Sequence, residues 1–115
     1  IDDRLQQVQK SLNERKLRCH VIYSHNQFLD ILPSRAGKGK AVRYLRYKYD
    51  FLPRLVMVAG DSGNDTDMLQ GNNRGLIVGN YSEELEYLKD AARVYFSQGK
   101  YAAGIIEGLH HYGLV

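Results

Sequence analysis

The stretch LVMVAGDSGNDTDML, residues 55–69, decides the fold. In it an apolar run ends in Gly60 and Asp61, and Asp65 and Asp67 follow at once. The run, bounded by Pro53-Arg54 and Gly60, has the pattern of a strand buried on both faces of a parallel sheet. Carboxylates this close repel one another, and burial raises the cost. A positive group or a good deal of water must therefore lie nearby.

Working outward, GLIVGN (residues 75–80) reads as a second buried strand and RVYFS (93–97) as a third, short one. Between them, Ser82 reads as an N-cap, with Glu83 and Glu84 in the first helical turn and Lys89 near the end, in keeping with the helix dipole. A short helix is expected from Asn64-Asp65 to about Gly71. Ahead of the first strand, Ala41, Val42, Leu45 and Tyr49 form a helical stripe that assigns Tyr49 to the core, and Pro53 follows the helix end. The chain closes on KYAAGIIEGLHHYG, a helix with Ala102, Ile105, Ile106 and Leu109 inward and Gly113 as its stop. From residue 38 onward helices and strands alternate, which is the order of a parallel α/β sheet with crossover helices.

The first part differs. Leu5, Val8 and Leu12 recur at helical spacing within residues 2–16. RCHVIYS and QFLDILP then flank a polar turn, the pattern of a hairpin closed by Pro33. A helix plus hairpin is an α+β arrangement, so a boundary is placed near residues 34–38, dividing 1–35 from 36–115. A parallel sheet of two long strands and one short one lacks neighbours. The expectation is that these residues are the C-terminal part of a larger domain.

Composition narrows the class. The 115 residues are 43% hydrophobic and 25% charged, as in folded globular chains. The longest apolar run is about six residues against the roughly 20 that span a bilayer, so no membrane partner is expected. One cysteine, Cys19, rules out an internal disulfide and fits a reducing, cytoplasmic setting. The net charge of +3 reflects a cluster of Arg35, Lys38, Lys40, Arg43, Arg46 and Lys48. With Tyr44, Tyr47 and Tyr49 between the charges, this segment also has the look of a nucleic-acid stacking surface. That reading is set aside, because the helical stripe claims Tyr49 and an acidic loop lies near. The four histidines show no metal spacing, and Tyr87, Tyr95, Tyr101 and Tyr112 read as packing residues.

Ligands of parallel sheets bind beyond the carboxyl ends of the strands, where Asp61 sits. A carboxylate there, with another four residues on in a polar loop, suits Mg²⁺, which keeps several waters and takes one or two protein carboxylates. The loop is not an EF-hand: counted from Asp61, position 6 is Thr66 and position 12 is Asn72. Lys38, between glycines at a helix start, can pair with a bound phosphate. One helix and one strand separate it from Asp61, a crossover that brings both to one end of the sheet.

GKGKAVRYL followed by LVMVAGDSGNDTDML resembles the third and fourth motifs of haloacid dehalogenase (HAD) superfamily phosphatases with an α/β cap. VIYSHNQFLDILPSRAGKGKAVRYL and AAGIIEGLHHYGLV are more similar to the sucrose-phosphate phosphatases within it. The resemblance implies a HAD-like, Rossmann-like α/β core, of which this is the second half, with part of an α+β cap. It also implies a Mg²⁺-dependent phosphomonoesterase that works through an aspartyl-phosphate, with sucrose 6-phosphate as substrate. Asp61 matches the metal-ligand carboxylate and Asp65 the second acid, which supports the metal's water or a lysine. Lys38 matches the lysine that holds phosphate and nucleophile. By the same resemblance Ser62 and Asn64 are expected to line the phosphate and metal pocket, and Arg35, in the cap-to-core linker, is a candidate for substrate contact.

The family's Asp-x-Asp nucleophile motif at a strand end has no counterpart among these residues. Asp65-Thr66-Asp67 has the spacing but no strand leading into it. The missing N-terminal part of the domain is expected to supply the nucleophile, so this piece alone is expected to be inactive. The same domain also occurs fused to sucrose-phosphate synthase. That makes a glycosyltransferase a candidate neighbour, and a non-catalytic, regulatory role the alternative function.

Overall fold

The computed structural model describes residues 3–34 and 36–115. Helix α1 (Asp3–Glu14) half-buries Leu5, Val8 and Leu12 on one side, as their spacing requires. Strands β1 (Cys19–Ser24) and β2 (Phe28–Pro33) form an antiparallel hairpin in which Ser24 pairs with Phe28. His25 and Asn26 turn the chain with φ of 55° and 52°, and Gln27 N donates to Ser24 O at 3.1 Å.

Helix α2 (Lys38–Tyr49) leads through a 3₁₀ turn (Pro53–Leu55) into β3 (Met57–Gly60). A 3₁₀ turn (Gly63–Asp65) runs into the single turn of α3 (Thr66–Leu69), then β4 (Arg74–Ile77). A 3₁₀ segment (Glu83–Asp90), β5 (Val94–Phe96) and α4 (Tyr101–His111) complete the chain. The parallel sheet has the order β3-β4-β5. Central β4 is covered on both faces. Ile77 joins Val58, Leu69, Leu85 and Leu88 in the core, while Leu76 meets α4, where a Cβ on Gly108 would lie 2.7 Å from both Leu76 methyl carbons.

Several expectations are corrected. Pro53 opens a 3₁₀ turn, so Leu55 lies outside the strand. β3 is not buried on both faces: only Val58 is fully buried, because β3 pairs with β4 alone among the described residues. Its open side continues into an apolar groove of about 490 Å³ between α2 and β3, lined by residues such as Val42, Leu45, Phe51 and Met68. Tyr49 is 59% exposed rather than in the core, because α2 leans on α3 and no described element covers the face that carries the tyrosine.

Helix α4 is turned from its expected orientation. Gly104 and Gly108 face the sheet, and Ala102, Ile105 and Ile106 are exposed. The glycines let the helix approach more closely than an Ile face would allow. Residues 83–90 are 3₁₀ rather than α, and the Ser82 side chain makes no capping bond. Its hydroxyl pairs instead with His25 Nδ1 at 2.8 Å.

Candidate active site

The acidic loop begins where β3 ends. Gly60 is required there, since a Cβ on it would lie 2.6 Å from Asp65 Cβ. Ser62 and Asp65 form a reciprocal capping box at the start of the following turn: Asp65 N donates to the Ser62 side chain, and the Asp65 side chain receives Ser62 N. Asp65 Oδ2 accepts from Asp61 N at 2.9 Å and Ser62 N at 3.4 Å. Its other oxygen receives Lys38 Nζ at 2.6 Å. This carboxylate is 5% exposed and the lysine 52%, so Lys38 bridges a buried anchor and open solvent. Ser62 Oγ donates to Asn64 Oδ1 at 2.9 Å.

Asp67 points to the other side of the same helix start, where Gly39 N donates to its Oδ2 at 3.0 Å. The N-terminus of α2 is thus held by two carboxylates of one loop, one through the Lys38 side chain and one through the backbone beside it.

Lys38, Asp61 and Asp65 share one cleft of about 330 Å³, which also includes Asn80, Tyr101 and Ile105. Asp61 is half-buried, and its carboxylate makes no hydrogen bond or ion pair with any described residue. No group of three or more His, Cys, Asp or Glu converges among the described residues. An ion here would be held by Asp61, with its remaining positions open to water and substrate, a donor set that fits Mg²⁺. Ser62 and Asn64 lie in the loop itself. Arg35 falls outside the described residues.

Two cleft residues, and one residue outside the cleft, make contacts that the sequence does not announce. Asn80 follows an apolar strand and a glycine just as Asp61 does, a parallel that marks it as a strand-end residue. Tyr101 is not the packing residue that the sequence suggests. It is 72% exposed on the cleft, and its N donates to Asn80 Oδ1 at 2.8 Å. Glu84 does more than complement a helix dipole. Its Oε2 accepts Gly63 N at 2.9 Å and His25 N at 2.8 Å. Burial pushes the Glu84 carboxyl upward, but these backbone donors outweigh it and hold the carboxyl below its ordinary value. No sequence pattern announces that contact.

A parallel sheet ending in an acidic loop, met by a lysine from the preceding helix and overlaid by a hairpin, is the α/β arrangement of HAD-like phosphatases. A HAD subclass IIB sugar phosphatase shares the fold at a TM-score of 0.74 and 21% identity over 96% of this chain and 40% of its own. The chain belongs to the sucrose-6F-phosphate phosphohydrolase (S6PP) family, which residues 2–113 match. It is similar to sucrose-phosphatase from Synechocystis sp. PCC6803, solved with sucrose and phosphate. The TM-score there is 0.90 with 34% identity, over 95% of this chain and 46% of that one. It is 39% identical to sucrose-phosphatase 1 of Nicotiana tabacum over 93% of this chain and 27% of that protein. It is 38% identical to mannosylfructose-phosphate phosphatase of Agrobacterium fabrum over 96% of this chain and 45% of that protein. The chain therefore spans less than half the length of these relatives.

Proposed function

We propose that these residues form the metal and phosphate side of a Mg²⁺-dependent phosphomonoesterase that hydrolyses a sugar phosphate, sucrose 6-phosphate first among them. The observation that carries this is the convergence of Lys38, Asp61 and Asp65 in one cleft at the sheet's carboxyl end. It favours catalysis over a non-catalytic, regulatory role beside a fused glycosyltransferase.

Asp61 would hold the ion. When bound, Mg²⁺ supplies positive charge opposite the transferring phosphoryl group. Asp65 holds Lys38 through their ion pair, so that the ammonium would be available to the same phosphoryl group. Ser62 holds the side chain of Asn64 within the loop, both are assigned to the phosphate pocket, and Arg35 is assigned to substrate contact. Residues 1–35 are read as part of the cap and 36–115 as core. The attacking aspartate comes from polypeptide outside these residues, and the enzyme works in the cytoplasm. The Synechocystis relative, solved with sucrose and phosphate, supports the substrate class.

The test is phosphate release by the full-length protein from sucrose 6-phosphate, with mannosylfructose phosphate as competitor. Activity should need Mg²⁺ and stop with EDTA. Asp61→Asn should lower kcat by about 100-fold or more, the scale of losing a key electrostatic group. Retained activity in that variant would refute the metal assignment. Absence of turnover by the wild type would refute the function.

A further inference from the structure

The hairpin and the acidic loop are joined by more than apolar contact. Glu84 Oε2 is shared between Gly63 N, in the loop, and His25 N, in the hairpin turn. Two further bonds reinforce the join: Ser82 Oγ with His25 Nδ1 at 2.8 Å, and Asn26 Nδ2 to Glu83 Oε1 at 3.3 Å. Beside them the hairpin lies directly on the loop, for a Cβ on Gly63 would overlap the Tyr23 carbonyl oxygen. Backbone against backbone leaves no side chain to yield, so the spacing of the two layers is fixed at this point.

Next to the tie a groove of about 350 Å³ opens between β1 and the loop. His20, Ile22 and Tyr23 line one wall, and Gly63, Thr66 and Asp67 line the other. No Lys or Arg among the described residues forms an ion pair with Glu84. Its charge is met chiefly by the two amides, which makes both bonds charge-assisted. An acid serving only the helix dipole would not bind two segments so distant in sequence.

We propose that Glu84 is a positioning residue that holds the hairpin at a set distance over the acidic loop. It thereby governs how the sugar portion of a substrate is accepted, while leaving the chemistry at phosphorus to the cleft. The substrate part of this inference rests on the proposed function; the tie itself does not.

The experiment compares the full-length wild type, Glu84→Ala and Glu84→Gln. In Glu84→Ala the two amides lose their charged acceptor, and KM for sucrose 6-phosphate should rise about 10-fold. Turnover of 4-nitrophenyl phosphate, which has no sugar to place, should change less than about 2-fold, while Glu84→Gln, which keeps a carbonyl acceptor, should stay within about 3-fold of wild type on both substrates.

Hydrogen–deuterium exchange, resolved to single amides, should quicken by about 10-fold at His25 and Gly63 of Glu84→Ala, while the Asp61 and Ser62 amides, which Asp65 holds, and the 74–78 strand stay unchanged. Equal loss on both substrates, or an unchanged KM, overturns the positioning role. Unchanged exchange overturns the tie. A wild type inactive on both esters refutes the proposed function, and the exchange result still decides whether Glu84 joins the layers. Should Glu84→Ala not fold, Glu84→Asp, too short to reach both amides, is read by the same criteria.

Discussion

Asp65→Asn isolates the link between the buried acid and the lysine, because it changes neither shape nor volume. The carboxylate now accepts from three donors: Lys38 Nζ on one oxygen, Asp61 N and Ser62 N on the other. An asparagine amide has one acceptor and one donor end, so one of these sides must face N–H with N–H. If the NH₂ meets the backbone, two amides at the loop's start lose their acceptor, at about 1–3 kcal/mol for each buried group. If it meets Lys38, the loss is one charge-assisted bond to an ammonium that is 52% exposed and can turn to water.

Solvent screening reduces that second loss to about 1 kcal/mol. The variant should therefore keep its loop, release Lys38, and lose about 1 kcal/mol of stability, read as a modest fall in urea midpoint at constant slope. Activity should fall much further, by about 10–100-fold in kcat, because the lysine is no longer held toward the phosphoryl group. A stability loss above about 4 kcal/mol, outside the ordinary range for one substitution, would mean that the loop itself had collapsed. Unchanged kcat would mean that Asp65 does not position Lys38. Either result refutes the reasoning.

Gly108→Ala sets two effects against each other. Alanine gains about 1 kcal/mol of helix propensity, but its methyl would lie 2.7–3.0 Å from three carbons of Leu76, which is 0% exposed and has no room to move. Overpacking of this kind costs about 1–3 kcal/mol, so thermal unfolding should come at lower temperature, and a raised midpoint would disprove the close helix–sheet contact. Glu107 accepts Tyr95 OH at 2.6 Å and Gly99 N and Gln98 N at 3.0 Å each, and these bonds, the tyrosine's first, hold its carboxyl below the ordinary 4.5. A depressed carboxyl contributes stability that is present above 4.5 and is lost as pH falls through the lowered value. Glu107→Gln should therefore flatten the acid side of the stability curve below about pH 5, and an unchanged acid limb would exclude that role.

The strand–helix order of residues 38–115 was legible because each apolar run is short, bounded by glycine or proline, and followed by a polar segment. The hairpin was legible for a similar reason. Orientation was harder to read. Hydrophobicity assigned Ile105 and Ile106 of α4 to the core, yet the helix presents Gly104 and Gly108, since close approach to Leu76 is set by the absence of side chains. Tyr49 fits a helical stripe, but a stripe is buried only where something covers it. Within the site, Asp61, Asp65 and Lys38 stood out because charge at a strand end is costly and therefore informative. Glu84 did not stand out, because its contacts with Gly63 and His25 are to backbone amides 21 and 59 residues away, and amides leave no trace in a sequence.

Three carboxylates within seven residues coexist because the loop sends them to different partners. Asp65 turns inward to two backbone amides and Lys38. Asp67 turns to Gly39 N on the other side of the same helix start. Both are met by donors that the chain itself provides, and both fix the segment that carries Lys38. Asp61 alone is left facing the cleft with no partner among the described residues. Carboxylates gathered in one loop repel unless each is met by a positive or hydrogen-bonding partner. Beside a buried Asp65 that Lys38 already pairs, this open carboxylate is the one on which the proposed cation site rests.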